Sequence, residues 1–247
     1  MGLRAGQIPG MTRMGNMSGS ADAREVAKFD ALAGDWWKPS GPMAPLHAMN
    51  PARMGWISGR LGPLEGLRIL DVGCGAGLAA EWLARRGAIV TGLDAAGAAL
   101  EAARAHASVQ GVSVDYRDGT PESLADGGFD AVLALEVIEH VPPTERREFC
   151  ASLARLTRPG GQVFLSTLNR TRRSYLVAIL GAEHILRWLP RGTHDWKLFV
   201  TPAELGALLR GAGLAVTDAA GMVPSLSAGF RIARDTGVNY LMAARKG

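Results

Sequence analysis

Short apolar runs and amphipathic stretches alternate along most of this 247-residue chain. Continuous apolar runs of about four to eight residues are typical of buried parallel strands, whereas apolar residues three or four positions apart are typical of helices that cover a sheet. The pattern predicts strands around Asp71 and over 88–94, 112–116, 129–135, 162–168, 214–216 and 238–244. Helices are predicted over 95–110, 146–157 and 202–212. This alternation predicts an α/β fold, a doubly wound, mostly parallel seven-stranded sheet with an antiparallel edge.

The N-terminal part has a different pattern. Residues 1–20 are rich in methionine, glycine and arginine and contain no apolar run of signal-peptide length, so we predict a disordered extension. Apolar residues at helical spacing predict a helix within 21–37. Prolines at 42, 45 and 51 predict a loop over 39–51, with Pro51 as the first residue of a helix towards Leu61. Residues 21–247 are expected to form one domain.

The composition agrees with one α/β domain of ordinary size. Apolar residues make up 47% of the chain, which is enough for a full core at this length. Two cysteines, Cys74 and Cys150, indicate neither a disulfide framework nor a metal cluster, so a reducing cytoplasm is the expected location. The net charge of +4 is too small to indicate a nucleic-acid-binding protein.

The stretch I-L-D-V-G-C-G-A-G, residues 69–77, predicts a ligand site at the end of the first strand. Its three glycines permit a tight turn in which backbone N–H groups approach a bound molecule. Asp94 ends the next strand, and an acid there typically binds ribose hydroxyls. The dinucleotide fingerprint G-x-G-x-x-G fails at Leu78. The spacing G-x-G-x-G after Asp71 instead resembles the first motif of class I S-adenosylmethionine-dependent methyltransferases, and a glycine turn that merely connects strand to helix is the alternative.

Two further polar residues are candidates for this cofactor site. Arg53 falls in the first turn of the helix predicted from Pro51, where the helix dipole disfavours a cation. A carboxylate partner would explain this position, and S-adenosylmethionine carries a carboxylate on its methionine end; a solvated arginine is the alternative. Asp118 follows the third strand, where methyltransferases commonly place a polar residue near the adenine amino group, and a structural turn residue is the alternative.

The fourth strand leads directly into Glu136, Glu139 and His140. Ligands of open α/β sheets bind beyond the carboxyl ends of the strands, so these side chains are expected at the binding edge. In a helical turn, their spacing would place all three on one face as ligands for Mg²⁺, Mn²⁺ or Zn²⁺. The alternative is that Glu139 and His140 only orient the loop. If the substrate is a phenol, either His140 as a base or a metal ion would raise the phenolate fraction.

Residues 172–191 form an unusually basic and apolar stretch. Five arginines and one acid lie between Arg170 and Arg191, an excess equal to that of the whole chain. The apolar centre, 175–189, is interrupted by Glu183 and His184 and is too short and too polar to span a bilayer. Basic ends and a tryptophan predict an amphipathic helical insertion after the fifth strand that lies on an anionic membrane surface. A helix packed on the sheet or at a dimer contact is the alternative.

Seven stretches between about Ala23 and the C-terminus carry the most specific signal. They are V-A-K-F-D-A-L-A-G-D-W-W, P-L-H-A-M-N-P-A-R, L-D-V-G-C-G-A-G, L-E-V-I-E-H-V, F-L-S-T-L-N-R, G-A-E-H-I-L-R-W-L-P-R-G-T-H-D-W and V-N-Y. Together they resemble the ubiquinone-biosynthesis O-methyltransferase family. The glycine motif is common to the superfamily, whereas W-W, P-L-H-x-x-N-P-x-R and G-T-H-D-W are much narrower.

The family methylates two phenolic hydroxyls of polyprenylated ubiquinone precursors. The resemblance implies that S-adenosylmethionine is contacted by Arg53, Gly73, Asp94 and Leu135, to which the motifs above add Gly75 and Asp118. It also implies Mg²⁺ binding by Glu136, Glu139 and His140, as in some members. His140 is the predicted catalytic residue.

A polyprenylated substrate gives the 172–191 stretch a role, because that stretch would hold the active site at the membrane. The expected location is therefore the cytoplasm, with peripheral association at the inner face of the cell membrane, and a quinone-biosynthesis complex is an expected partner. Two alternatives stay open. One is a related methyltransferase that acts on a soluble small phenol, and the other is a cofactor-binding scaffold of such a complex with little catalytic activity.

Overall fold

The computed structural model describes Ser20 and residues 23–38, 40–176, 196–225 and 229–247. Within this part of the chain, eight strands form one sheet in the order β3-β2-β1-β4-β5-β8-β6-β7. The strands are β1 Arg68–Val72, β2 Ile89–Asp94, β3 Asp115–Asp118, β4 Phe129–Leu135, β5 Thr157–Leu168, β6 Leu214–Ser225, β7 Gly229–Ala233 and β8 Asn239–Lys246. Strands β1 to β5 are parallel, and β8, β6 and β7 form an antiparallel edge. The predicted doubly wound α/β fold is confirmed, although the sheet has eight strands rather than seven.

Helices cover both faces of the sheet because successive strand residues point to opposite sides. The helices are α1 Ala23–Leu32, α2 Ala44–Leu61, α3 Leu78–Ala84, α4 Gly97–Gln110, α5 Arg146–Leu156, α6 Arg172–Ser174 and α7 Pro202–Gly211. Ile69 and Phe164 pack with α2, α3 and α4 on one face. Their neighbours Leu70 and Leu165 pack with α5 and α7 on the other face. This double burial explains why the central strands are almost continuously apolar.

Helix α7, which was predicted over 202–212, begins with a capping box. The Thr201 hydroxyl accepts a hydrogen bond from the Glu204 backbone N–H at 3.3 Å, and the Glu204 carboxylate accepts one from the Thr201 backbone N–H at 2.9 Å. This reciprocal pair satisfies two backbone donors that a helix start would otherwise leave unpaired. Pro202 follows in the first turn, where its missing N–H has no cost.

The predicted start of helix α2 was wrong. The helix begins at Ala44 rather than Pro51, so the predicted loop over 39–51 is helical in its second half, and Pro51 lies inside the helix. Pro45 occupies the first turn, which suits a proline. The helix continues through Pro51 because its buried face, which includes Met49 and Met54, packs on the core on both sides of the proline. Burial of these side chains outweighs the lost backbone hydrogen bond.

The edge strands also differ from the prediction. Strand β7 was not predicted, and β6 extends to Ser225 instead of ending at 216. Gly221 and Pro224 interrupt the apolar pattern of β6 in the sequence. Pro224 nevertheless pairs with Phe230 of β7. It lies after the part of β6 that pairs with β8, so β7 is its neighbour in the sheet. A proline is tolerated where only one neighbouring strand is present. Strand β3 begins three residues later than predicted, and β5 begins five residues earlier.

Two predictions concern segments that lie largely outside the described residues. They are the disordered extension over 1–20, of which the structure describes Ser20, and the amphipathic insertion over 172–191, of which it describes 172–176. Among the helices that the structure does describe, none has the length and the apolar character needed to cross a bilayer.

Candidate active site

A large cavity lies where the strand order of the sheet reverses. Strand β1 pairs with β2 on one side and β4 on the other, so the loops after these strands diverge and leave a crevice at their carboxyl ends. The cavity has a volume of about 720 Å³. Its wall includes the glycine turn, the end of β2 and the turn after β4. The three motifs singled out in the sequence therefore meet at one site.

The glycine turn needs glycine for two physical reasons. Gly73 and Gly75 have φ angles of 67° and 53°, in the left-handed region that other residues rarely adopt. A Cβ on Gly73 would also collide with Val137, and a Cβ on Gly75 would collide with the ring of Trp36. Both glycines line the cavity. The turn thus presents bare backbone to a ligand, as the sequence predicts.

Asp94 holds the glycine turn in place. One carboxylate oxygen accepts a hydrogen bond from the Gly75 backbone N–H at 2.7 Å, and the other accepts one from the Ala96 N–H at 2.8 Å. Burial raises the pKa of Asp94, while these backbone hydrogen bonds oppose the rise. The side chain reaches the cavity wall, so the same carboxylate is available to a ribose.

Two adjacent tryptophans of the N-terminal segment contact the glycine turn. The Trp36 ring lies against Gly75, and the Trp37 indole N–H donates a hydrogen bond to the Ala76 carbonyl at 3.1 Å. Trp37 stacks on His106 with ring centroids 3.5 Å apart. His106 in turn binds Glu81, a carboxylate that is only 1% exposed, at 2.7 Å. This chain of contacts fixes the turn relative to helices α3 and α4.

We expect Trp37→Phe to weaken cofactor binding about fivefold. The phenyl ring keeps most of the stacking on His106 but cannot donate to the Ala76 carbonyl, and one such hydrogen bond contributes about 1 kcal/mol. Isothermal titration calorimetry with S-adenosylhomocysteine measures the change. Trp82→Phe is the matched control, because Trp82 contacts Arg86 away from the cavity. Equal affinities for W37F and W82F would show that the Trp37 contact does not position the turn.

Arg53 is a buried cation surrounded by carboxylates. It is 4% exposed, and its Nε donates to the Asn50 side-chain oxygen at 2.9 Å. Burial lowers its pKa, whereas the charges of Glu136 and Asp71 raise it. The predicted location at the cofactor site is supported by its place in the cavity wall. The reason for predicting it was wrong, because Arg53 lies in the middle of α2 rather than in its first turn.

Asp71 is the least satisfied acid of the site. It is 2% exposed, and its Oδ2 has no hydrogen-bond partner. Burial raises its pKa to about 7, although Arg53 opposes the rise. A buried carboxylate with one unpaired oxygen in the wall of a cavity is suited to a cationic ligand, because a positive charge there offsets the cost of burying the negative charge.

This raised pKa predicts a pH dependence of stability. In the unfolded chain an Asp has a pKa of about 3.9. Between about pH 4 and pH 7 the folded protein therefore holds a proton on Asp71 that the unfolded chain has lost, so stability falls as the pH rises. From pH 5 to pH 8 we expect wild type to lose about 2–3 kcal/mol more unfolding free energy than Asp71→Asn, without ligand. Urea titrations at several pH values measure this difference, and parallel curves would contradict it.

The turn after β4 is strained in a way that the sequence did not predict. Glu136 has a φ of 58°, the only positive φ of a non-glycine residue in the described part of the chain. Such a conformation costs on the order of 1–3 kcal/mol and persists where surrounding contacts hold it. The Glu136 carboxylate accepts hydrogen bonds from the Ser166 hydroxyl at 2.6 Å and from the Asn239 amide at 3.1 Å. Strands β5 and β8 thus aim Glu136 into the cavity.

Glu139 and His140 lie in the short helical turn that follows. Glu139 is buried, and its carboxylate accepts a hydrogen bond from the Thr167 hydroxyl at 2.7 Å. Burial, with Glu136 nearby, raises its pKa above the usual value. His140 is half-buried, and together with Glu136 and Glu139 it belongs to the cavity wall. The structure therefore brings the three predicted residues to one end of the cavity.

These three residues do not form a metal-binding arrangement in this structure. Among the described residues no group of three or more histidine, cysteine, aspartate or glutamate side chains is placed to hold a metal ion. Glu136 is bound by Ser166 and Asn239, and Glu139 is bound by Thr167. A divalent ion would have to replace these donors. The Mg²⁺ site stays a prediction.

The remaining predicted cofactor residues differ in their positions. Leu135 is 8% exposed and lines the cavity where β4 ends. Asp118 ends β3, but its side chain is exposed, and the cavity is lined instead by the next three residues, Gly119 to Pro121. Sequence reasoning missed Ser166, Thr167 and Asn239, which bind the two glutamates. A hydroxyl pair at the carboxyl end of β5, level with Leu135 of β4, is the signal that would have found the first two.

The fold and the site define a class I S-adenosylmethionine-dependent methyltransferase. Residues 70–165 match the family model described as a methyltransferase domain. Magnesium protoporphyrin IX methyltransferase from Synechocystis, solved with bound S-adenosylhomocysteine, has the same fold at a TM-score of 0.65 and 19% identity, with 90% of this chain and 99% of that chain covered. An S-adenosylmethionine-dependent methyltransferase from Aquifex aeolicus matches at a TM-score of 0.61 and 16% identity, covering 90% and 98% of the two chains.

Curated relatives identify the family within this class. The ubiquinone biosynthesis O-methyltransferase of Azorhizobium caulinodans is 50% identical over 91% of this chain and 93% of its own length. The enzyme of the same name from Pseudomonas aeruginosa is 47% identical over 92% and 98%. The chain belongs to the ubiquinone biosynthesis O-methyltransferase family and is an S-adenosylmethionine-dependent O-methyltransferase. The resemblance inferred from the seven motifs is confirmed.

Proposed function

We propose that this enzyme methylates phenolic hydroxyls of polyprenylated ubiquinone precursors, at both O-methylation steps of ubiquinone biosynthesis. The observation that carries this proposal is the cavity itself, in which the predicted cofactor turn and Asp94 lie in the same wall as Glu136, Glu139 and His140. The names of relatives that align over nearly the whole chain support the choice of substrate. A methyl donor and a phenol are thereby brought to one site.

The residues of the site fit S-adenosylmethionine. Gly73 and Gly75 contribute to the cavity wall, and the nearby Asp94 carboxylate is available to ribose hydroxyls. Arg53 is a buried cation suited to the carboxylate of the methionine end. The unpaired Asp71 oxygen and Glu136 add negative charge for a cationic centre. When bound, the cofactor supplies an electrophilic methyl group on a positively charged sulfur.

The chain aligns the acceptor and removes its proton. The phenol oxygen must point at the methyl group, in line with the sulfur–carbon bond, so that the new oxygen–carbon bond forms as the old bond breaks. The phenolic proton goes to His140, and the electron pair of the broken bond stays on sulfur as the neutral thioether. His140 belongs to the cavity wall together with Glu136 and Glu139.

We expect His140→Asn to lower the methyl-transfer rate by a factor of 10² or more. General-base catalysis typically contributes about 10²–10⁴ in rate, and asparagine cannot take up the proton. Binding of S-adenosylhomocysteine should change less than about threefold. Single-turnover assays and calorimetry measure the two quantities separately. An unchanged single-turnover rate would remove His140 from its proposed role.

Mg²⁺ binding at Glu136, Glu139 and His140 is tested apart from this chemistry. Calorimetric titration of Mg²⁺ into EDTA-treated protein measures binding directly, and Glu139→Gln is the informative variant. Saturable Mg²⁺ binding that E139Q abolishes, with turnover restored by Mg²⁺ after EDTA treatment, would support the site. Turnover that is indifferent to EDTA would contradict it and leave the rest of the proposal intact.

The location and partners of the enzyme follow from its substrate. We propose a cytoplasmic enzyme that associates peripherally with an anionic membrane at the inner face of the cell membrane through residues 172–191. We also propose that it joins other quinone-synthesising enzymes there. Flotation with vesicles containing anionic phosphatidylglycerol, compared with neutral phosphatidylcholine, tests the membrane contact. Equal recovery with the two vesicle types would contradict an electrostatic role for this segment.

The substrate proposal is tested with two acceptors that share one head group. A demethylubiquinol with a tail of three isoprene units is compared with the same ring without the tail. We expect methylation of the prenylated acceptor with a kcat/KM that is at least tenfold higher. Equal values would favour the alternative of a soluble small phenol. Cofactor binding without turnover of either acceptor would favour the scaffold alternative.

A further inference from the structure

The wall of the cavity has two parts of different chemistry. The charged end is the part that holds Arg53, Asp71, Asp94, Glu136 and Glu139, which the proposed chemistry uses. The other part is an apolar wall, formed by the start of helix α2 and by the β6–β7 hairpin. This apolar wall consists of Met43, Leu46, Met49, Met222 and Phe230. The proposed chemistry assigns no role to these five side chains.

The apolar wall is formed by closely packed elements of the fold. Strand β7 contacts helix α2 so closely that a Cβ on Gly229 would lie 3.2 Å from the Ala48 carbonyl oxygen. Met222 and Met43 are only 2% and 4% exposed, so the inner part of the wall is fixed in the core. The unpredicted strand β7 therefore has a specific consequence, because it places Phe230 opposite α2.

Methionine is unusually frequent in this wall. Five methionines lie in the part of the chain beyond residue 20, and three of them belong to the wall. Methionine is unbranched and flexible, so it adapts to apolar ligands whose shape is not fixed. A flexible hydrocarbon chain is such a ligand. A rigid aromatic ring alone would not require an adaptable surface of this extent.

The apolar surface continues outward to the rim of the cavity. Pro224 and Leu176 both line the cavity, and Leu176 is 56% exposed. Leu176 lies two residues after the end of helix α6 and belongs to the basic stretch 172–191. Apolar side chains thus line the cavity from the buried methionines to Leu176, where the ion-paired Arg173 and Asp235 also belong to the wall.

We propose that the apolar wall binds the polyprenyl tail of the acceptor and that the tail leaves the cavity between Pro224 and Leu176. This inference rests on the proposed function and assigns residues to one part of it. The wall would place the ring of the acceptor at the charged end and set the preference for prenylated over tail-less acceptors. Burial of apolar tail surface supplies the affinity.

The test replaces two half-buried members of the wall with polar residues. The variant Leu46→Gln/Phe230→Gln adds polar amides along the apolar wall. With the three-isoprene acceptor we expect KM to rise at least tenfold, whereas kcat and the KM for the tail-less acceptor should change less than twofold. Val109→Gln is the control, because Val109 is an exposed apolar residue on α4 that does not line the cavity. Equal losses for both acceptors, or no loss for either, would overturn the assignment.

A second measurement does not depend on the variants folding. Wild-type enzyme is irradiated with a prenylated phenol that carries a diazirine at the second isoprene unit, and the labelled peptides are identified by mass spectrometry. Labels within 43–49 and 222–230 would support the proposal, and labels confined to other surfaces would overturn it. If wild type does not prefer the prenylated acceptor, the proposed function fails. If wild type prefers it but the labels and the variant exclude the wall, only this inference fails.

Discussion

Replacing Asp94 with alanine is expected to weaken S-adenosylhomocysteine binding by 10²–10³-fold while the protein stays folded. The carboxylate accepts the Gly75 and Ala96 backbone N–H groups at 2.7 and 2.8 Å. Hydrogen bonds to a charged group contribute about 1.5–3 kcal/mol each. The alanine variant loses two of them, which leaves the glycine turn unanchored, and it also loses the proposed contact with the ribose. Calorimetry measures the dissociation constant, and circular dichroism reports the fold.

The matched control for this variant is Asp126→Ala. Asp126 is an exposed acid whose carboxylate pairs with Arg117 on the surface. A surface ion pair contributes at most about 1 kcal/mol, so ligand binding by D126A should equal that of wild type. If folded D94A bound the cofactor product within fivefold of D126A, Asp94 would not anchor the cofactor.

Replacing Arg53 with methionine is expected to destabilise the protein by about 3–5 kcal/mol. The guanidinium is 4% exposed and faces the Glu136 and Asp71 carboxylates, so its loss leaves buried negative charge without a partner. Methionine fills most of the volume, so the effect reports charge rather than a cavity. Urea denaturation at pH 8 measures the loss. Arg60→Met, on the same helix, removes a surface pair with Asp218 and should cost about 1 kcal/mol.

A double variant separates charge from packing at this position. Glu136→Gln removes one of the carboxylates that Arg53 compensates. We expect the loss of unfolding free energy in R53M/E136Q to be smaller than the summed losses of R53M and E136Q by at least about 1 kcal/mol. The reason is that the effects of coupled charges are not additive. Strict additivity would mean that Arg53 stabilises the fold through its contacts with Asn50 and the helix rather than through charge.

The central strands were predictable because burial of both faces requires a short, nearly continuous run of apolar residues in the sequence. Strands β2 and β4 occupy the predicted ranges closely, since most of their residues are buried and apolar. The glycine turn and Asp94 were predictable for a related reason. Their backbone geometry requires particular residue types at a particular spacing.

Helix α2 and strand β7 show where local reasoning fails. Prolines at 45 and 51 indicate a loop by local preference, but packing of Met49 and Met54 on the core keeps the chain helical. Strand β7 is five residues long, and its Phe230 and Ile232 alternate with polar neighbours, a pattern too short to distinguish from a loop. Both wrong predictions concern elements that are stabilised by contacts with residues far away in the sequence.

The candidate site was also predictable only in part from the sequence. Glu136, Glu139 and His140 were predicted as a group from their position after β4. Their hydrogen-bond partners on β5 and β8 are about 30 and 100 residues away in sequence, and no local signal marks such pairs. The positive φ of Glu136 follows from these distant contacts. The sequence could therefore not show that the two carboxylates accept hydrogen bonds from Ser166 and Thr167, and the metal site stays a prediction.

We expect methyl transfer in this cavity to a phenolic oxygen of a prenylated ring. The most direct test uses S-adenosylmethionine labelled with ¹³C in its methyl group and the three-isoprene demethylubiquinol under reducing conditions, followed by NMR of the lipid product. We predict that wild type and D126A place the label in an aryl O-methyl group and that D94A does not under the same conditions. Label in a carbon- or nitrogen-bound methyl group, or no labelled lipid from enzyme that binds the cofactor, would contradict the account.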